Sequence, residues 1–398
     1  MAVYALINKE VIPYICDKKK VTKEFICEKT KLNRNNIDKW FDVSERSLPT
    51  ILQAKKIAKC LRIPFAGLYM NTDDIDVKSI PRIVNNRTFD GSLSVDDSGF
   101  NLAVCDVLQE RAFLIEECLE LELPIVPFSA PTCNSNDPVD WANSIRSHYS
   151  IDIDDQFRCQ SSRKFYLYLR GKLEDRGAFV QCFTGVPIEI VRGFSVYETT
   201  LPIIGINDED RPPAKSFSLI HELVHIIKRE SSACNVMYNA KSTRSEEVFC
   251  NAVAGELLVP EEALSVVIST EKYKHPYKIE NIEIIASKFS VSKEVIIRRL
   301  LDCKYINDME YAAYSEQFRK IIEQEREEQR IARKEGMKSN VYKNVGREAI
   351  DRTSPGVCKT LYYGYTEDIY SKRDIAHHLG IAQKHVDKFL LEVSKWNR

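Results

Sequence analysis

His221 and His225 lie four positions apart in the pentapeptide His221-Glu222-Leu223-Val224-His225. On a helix such a pair shares one face, so two imidazoles can meet one divalent metal with the intervening carboxylate beside it. Zinc accepts neutral imidazole nitrogen at about 2.0 to 2.1 Å, and a catalytic zinc typically has three protein ligands and an open position for water. It lowers the pKa of that water toward about 7 and polarises a carbonyl, so a neighbouring carboxylate can take the proton and later pass it to a leaving amine. Glu222 is the candidate base. Seven histidines in 398 residues would give this pattern by chance about once in a hundred such chains, which makes a purely structural pair the weaker reading.

The flanking elements suit that chemistry. Leu201 to Asn207 (LPIIGIN) reads as a buried strand, and Pro212-Pro213 can open a helix with Phe217, Ile220, Val224 and Ile227 on one stripe. The histidines are expected beside this stripe rather than in it. A third ligand should come from a second helix, running from Ser245 to Val259 and stopped by Pro260. Glu247 and Asn251 share one face there, so the carboxylate can bind metal while the amide orients a ligand histidine through its other ring nitrogen. Glu246 points about 100° away. The alternative use of both carboxylates is an acidic first turn complementing the helix dipole. Lys228 and Ser231 exclude the metzincin variant, which requires Gly and His at these positions.

Several segments agree in order with one family. Arg192-Gly193-Phe194, LPIIGIN followed by Asp210, Phe217 to His225, Glu247-x-x-Cys250-Asn251-x-x-Ala254, and Leu257-Leu258-Val259-Pro260 resemble motifs of the ImmA/IrrE family of zinc metallopeptidases, in its long form with an N-terminal XRE-type helix-turn-helix. The resemblance is sharp over residues 190 to 260. It implies that His221, His225 and Glu247 bind Zn2+ and that Glu222 is the general base. It also implies an α+β, zincin-like metallopeptidase domain with a small twisted sheet, preceded by an all-α helix-turn-helix domain and followed by helical C-terminal units. Val224 stands where many members carry Gly. Tyr197, Tyr238 and His275 are candidate donors to a tetrahedral oxyanion. The LPIIGIN strand is either a rail for an extended peptide substrate or wholly buried.

The chain as a whole fits an intracellular, multidomain protein. Hydrophobic residues make up 44% of it, enough to fill real cores. No run approaches 18 apolar residues, and Met1 to Lys9 lacks the layout of a signal peptide, so the expectation is a cytoplasmic protein without a membrane partner. Twelve cysteines without a C-x-x-C indicate reduced thiols rather than a disulfide framework. The net charge of −1 hides an asymmetry: residues 1 to 70 carry 14 Lys+Arg against 7 Asp+Glu and residues 311 to 398 carry 17 against 13, leaving 26 against 38 between them. Basic ends on an acidic middle suit a nucleic-acid module attached to a catalytic or sensory body.

In the basic N-terminus, Thr22 to Thr30 reads as a helix, Lys31-Leu32-Asn33 as a turn and Arg34 to Phe41 as a second helix, with a third opened by Pro49. This resembles an XRE-type unit whose second helix enters the DNA major groove. Asn33, Arg34, Asn35, Asn36 and Lys39 would then face double-stranded DNA. Lys31 departs from the pattern, since Gly would relieve a left-handed turn. Residues 284 to 300 and 371 to 390 repeat the cadence and are read as scaffolds, and residues 316 to 336 as a solvated, charged helix.

The expected organisation is an XRE-like domain (1–72), a helical connector (73–134), a zincin-like domain (135–265), a small helical unit (266–310) and a regulatory C-terminal region (311–398). The leading functional reading is a DNA-tethered zinc endopeptidase cutting a partner protein, such as a repressor encoded nearby. The alternative is a DNA-binding regulator whose zincin-like domain senses a ligand or partner without efficient proteolysis. The sequence leaves open the oligomeric state, the cleavage site, the inducing signal and membership of a toxin-antitoxin or phage module.

Overall fold

The computed structural model describes residues 3–75, 80–81, 84–85, 98–229, 232–234, 245–275, 277–334 and 344–397. The N-terminal helices are α1 (Val11–Lys18), α2 (Lys23–Thr30), α3 (Arg34–Phe41) and α4 (Ile51–Leu61). Thr22 caps α2 and Asn33 caps α3, and Thr50 with Gln53 forms a capping box on α4. Between α2 and α3, Lys31 takes the left-handed conformation at φ 57°, which costs a non-glycine residue about 1 to 2 kcal/mol. α1, absent from the sequence reading, supplies Val11, Ile12 and Ile15 to the core formed with Ile26, Ile37, Trp40, Ile57 and Leu61. Lys19, fully buried, donates through Nζ to the carbonyls of Leu61 and Arg62 at 3.0 and 3.2 Å. A cation thus meets the orphan carbonyls at the C-terminus of α4.

After the short strand β1 (Val84–Asn85), helix α5 runs Ser98–Glu120, within the expected helical connector. Its first turns join the N-terminal helices. Leu102 enters their core, Asn101 Nδ2 donates to the Lys20 carbonyl at 2.9 Å, and Asp106 pairs with Arg62. Phe100, Val104 and Val107 of the same helix pack on the sheet. The connector is therefore a packed strut between two cores.

Helices α6 (Pro138–His148), α7 (Ile153–Arg158) and α8 (Ser162–Glu174) lead into β2 (Phe179–Phe183), β3 (Gly193–Val196) and β4 (Ile203–Asn207), then α9 (Pro212–Ile227), β5 (Ser232–Cys234) and α10 (Ser245–Leu258). The five strands are ordered β1-β5-β3-β4-β2, with β3 antiparallel to both β4 and β5, and β2 parallel to β4. Alternation along the strands divides two cores. Val180, Cys182, Ile204 and Ile206 face α8 and α9, whereas Phe179, Phe183, Phe194, Val196 and Ile203 face α5. Gly205 permits this layering, because a Cβ there would lie 2.1 Å from the Phe194 ring. β4 is paired on both edges and wholly buried, so of the two readings of LPIIGIN the substrate rail is excluded.

Next come α11 (Glu261–Thr270), α12 (Ile279–Phe289), α13 (Lys293–Asp302) and α14 (Asp308–Lys334). Their Leu264, Ile285, Phe289, Ile296, Leu300 and Phe318 belong to the same core as α6, α8, α9 and α10. The last helices, α15 (Val345–Arg352), α16 (Pro355–Thr366), α17 (Lys372–His378) and α18 (Val386–Val393), pack with α5 on the second face of the sheet. They form a layer of the body rather than a separate tail. Among the described residues, no helix is long and apolar enough to cross a membrane, and the eleven cysteines whose side chains are described are free thiols.

The C-terminal end of α10 is held by side chains from three other helices. Arg146 donates to the Leu257 carbonyl at 2.6 Å, Gln156 to that of Leu258 at 2.9 Å, and Arg299 to that of Val259 at 3.0 Å. Arg299 also pairs with Glu256, both side chains being about one-twentieth exposed. Removing one partner of a buried pair strands the other charge. Arg299→Ala should therefore lower unfolding free energy by about 3 to 5 kcal/mol, measured by urea denaturation.

A half-buried carboxyl ties α8 to α16. Glu174 accepts from Val180 N at 3.2 Å, Ser354 Oγ at 3.1 Å and Gly356 N at 3.0 Å. Burial pushes its pKa from 4.5 up to about 7, against the pull of Arg170 and these hydrogen bonds. The folded chain then keeps a proton that the unfolded chain releases, so this group's contribution to stability is complete below about 4.5 and is lost as pH rises to about 7. Glu174→Gln, which cannot titrate, should show a shallower decline in unfolding free energy across that interval. Parallel wild-type and variant curves would contradict this.

Candidate metal centre

α9 begins with proline in its first turn, where a missing N–H costs nothing, and every residue from Ser216 to Phe217 and on to Ile226 is buried. The sequence placed the histidines beside an apolar stripe, but the helix has no exposed side over this stretch. The sheet, α8 and α10 enclose it, so Leu219, Leu223 and Ile226 are core along with Phe217, Ile220 and Val224. His221 is 2%, Glu222 0% and His225 1% exposed. α10 crosses α9 and brings in Glu247, 1% exposed. Glu246 stands outside, 3.7 Å from Lys228, as the helical wheel requires.

Glu247 lies 3.2 Å through Oε2 from His221 Nε2 and 3.3 Å through Oε1 from His225 Nε2, and the two imidazole nitrogens are 3.3 Å apart. Two donors each about 2.05 Å from a tetrahedral zinc would be separated by about 3.3 Å. The three groups thus have both the chemistry and the spacing of a zinc ligand set. Burial opposes charge on Glu247, but hydrogen bonds and charge from His221 and then His225 outweigh it and hold the carboxyl well below the usual carboxylate range.

Glu222 sits one residue along α9, under β3. Ser195 Oγ donates to Glu222 Oε2 at 2.9 Å. A Cβ at Gly193 would come within 3.2 Å of Glu222 Cγ and 3.3 Å of its Oε1, so the absence of a side chain lets the strand approach the carboxylate closely. Neither role was read from the sequence. The available signal was that Gly193 and Ser195, small or polar, alternate with Phe194 and Val196 in a buried strand. Arg192, preceding them, forms a 2.6 Å ion pair with Asp210, which also accepts from Arg211 N at the start of α9.

The expected amide tether differs from what is found. Asn251 is buried, but its Oδ1 accepts no hydrogen bond among the described residues, so it does not hold a ligand histidine through that oxygen. Cys250 Sγ instead lies 4.0 Å from His225 Nδ1. Of the candidate oxyanion donors, Tyr197 is half-buried just past β3, His275 is engaged by Glu310, and Tyr238 lies outside the described residues.

The candidate DNA residues gather around the start of α3. Asn33 caps the helix by accepting from Asn35 N at 2.9 Å, and Arg34 pairs with Glu24 and Asp38. Asn35 and Lys39 are exposed and Asn36 is half-buried.

Residues 182–301 match the peptidase family model described as the IrrE N-terminal-like domain. This segment spans β3 through α13 and contains His221, Glu222, His225 and Glu247. The match supports the ImmA/IrrE family and points to a metallopeptidase. Comparison with curated proteins and with solved structures gave no match.

The ligand geometry makes a direct prediction. The purified chain should bind zinc stoichiometrically, and His221→Ala or Glu247→Ala should weaken that binding by at least about 100-fold, more than the loss expected for an outer partner. Metal analysis after dialysis against a chelator checks it.

Proposed function

We propose that this chain is a cytoplasmic, DNA-tethered zinc endopeptidase that hydrolyses a peptide bond in a partner protein, a transcriptional repressor encoded nearby. The observation that carries the reading is the convergence of His221, His225 and Glu247 within zinc-ligand distances, with Glu222 adjacent. Bound zinc would polarise the scissile carbonyl and acidify water. Glu222 would act as general base, taking a proton from the attacking water at a carboxylate oxygen and delivering it to the leaving nitrogen. Ser195, donating to Oε2, fixes the carboxylate so that one oxygen stays committed to orientation. The buried surroundings exclude bulk water and strengthen each of these interactions.

The DNA tether is the N-terminal unit. α2 and α3 are joined by a three-residue turn, and exposed Asn35 and Lys39 lie on α3 in a segment with a basic excess. Supporting groups would be Asn33, Arg34 and Asn36, with Arg34 exchanging Glu24 and Asp38 for phosphate or guanine.

A second reading is favoured by one observation, the depth of the site: His221, Glu222 and His225 are at most 2% exposed. In that reading the protein is a DNA-binding regulator whose metallopeptidase-like body senses a ligand or partner without efficient cleavage.

Glu222→Gln separates the two, because it spares the ligands and removes the base. Under the endopeptidase reading the variant keeps zinc and promoter binding but cleaves the repressor encoded by the adjacent gene at least about 100-fold more slowly, followed by electrophoresis of the incubated pair. Cleavage by the variant at the wild-type rate would overturn the assignment of the base. A wild-type protein that binds the promoter and cuts no partner would favour the regulator.

A further inference from the structure

Away from the metal centre, a cavity of about 580 Å³ opens between the end of α5 and residues 123–126, α8, and the turn from α15 into α16. Its volume falls within the range of small-molecule sites, about 300 to 1,000 Å³. Leu114, Leu167, Ile350 and Trp396 make much of its wall apolar. Two cations border it. Arg170, 2% exposed, donates to the carbonyls of Ile350 and Asp351 at 3.1 and 2.8 Å, and its buried Nε–H has no acceptor among the described residues. Lys359 is exposed at the mouth, as is Asp175. Glu174 also borders the space, and burial pushes its pKa up to about 7, which lessens its negative charge near neutral pH.

Beside an apolar wall, the guanidinium of Arg170 and the ammonium of Lys359 favour a ligand with an anionic head group. We propose that this cavity binds a small amphiphilic carboxylic acid, its chain against the apolar wall and its carboxylate facing the positive charges of Arg170 and Lys359. The site joins three parts of the body, and α8, which supplies Arg170, packs on α9. Occupancy would therefore brace the helix that carries His221, Glu222 and His225.

Gly171 gives a clean test, because it lines the cavity from α8 and a Cβ there meets nothing within 4 Å. The probe is decanoate, titrated calorimetrically into the full chain, with decyltrimethylammonium as the opposite-charge control. Binding is expected to be saturable, at least tenfold tighter for decanoate than for the cation, retained in Gly171→Ala and lost in Gly171→Phe. Lys359→Glu, at an exposed position that leaves the fold intact, should weaken decanoate several-fold. Absence of saturable decanoate binding, survival of binding in a folded Gly171→Phe, or equal binding of the cation would overturn the proposal. Because the readout is binding, it is independent of peptidase activity.

Discussion

Three ionisable groups lie on a helix that has no exposed side. His221, Glu222 and His225 occupy the middle of α9, enclosed by the sheet, α8 and α10, where an unpaired charge is costly. Their burial is tolerable because each faces a complementary group: the imidazoles face Glu247, and Glu222 faces Ser195. A shared cation with two neutral imidazoles and one carboxylate would leave a modest net charge in this interior. The surrounding architecture serves to hold α10 against α9 with Glu247 in register.

That register is secured far from the ligands. Glu247 lies in the first turn of α10, whereas the clamps from Arg146, Gln156 and Arg299 act on the last carbonyls. A rigid helix transmits the constraint along its length, so the unit formed by α12 and α13 contributes to the metal site without touching it. On the other side, Gly193 and Gly205 let β3 and β4 approach Glu222 and Phe194 more closely than any other residue would. The packed interior thereby fixes the distance between base and ligands.

The two faces of the sheet have different tasks. One carries the metal-binding helices, and the other is covered by α5 and the C-terminal helices. α5 continues from this second core into the N-terminal one. Helix α8 borders both the metal-bearing helix and the cavity beneath α16. The C-terminal segment is thus integral to the body.

Much of the site was legible in the sequence because its determinants are local. Helical periodicity puts His221 beside His225, proline brackets α9 and α10, and the hundred-degree step separates exposed Glu246 from buried Glu247. The spans read for the second and third helices, Thr22 to Thr30 and Arg34 to Phe41, agree with α2 and α3 to within a residue. Contacts that close through space left little local trace. Ser195 reaches Glu222 only because β3 packs against α9, Cys250 Sγ comes to His225 only where α10 meets α9, and α5 and the C-terminal helices find their places by shared burial on one face. The sequence by itself determined which side chains could bind a metal and which helices carry them, since those depend on spacing within a helix. Only the tertiary structure decided their convergence to 3.2 and 3.3 Å, because that distance is set by the packing of separate elements.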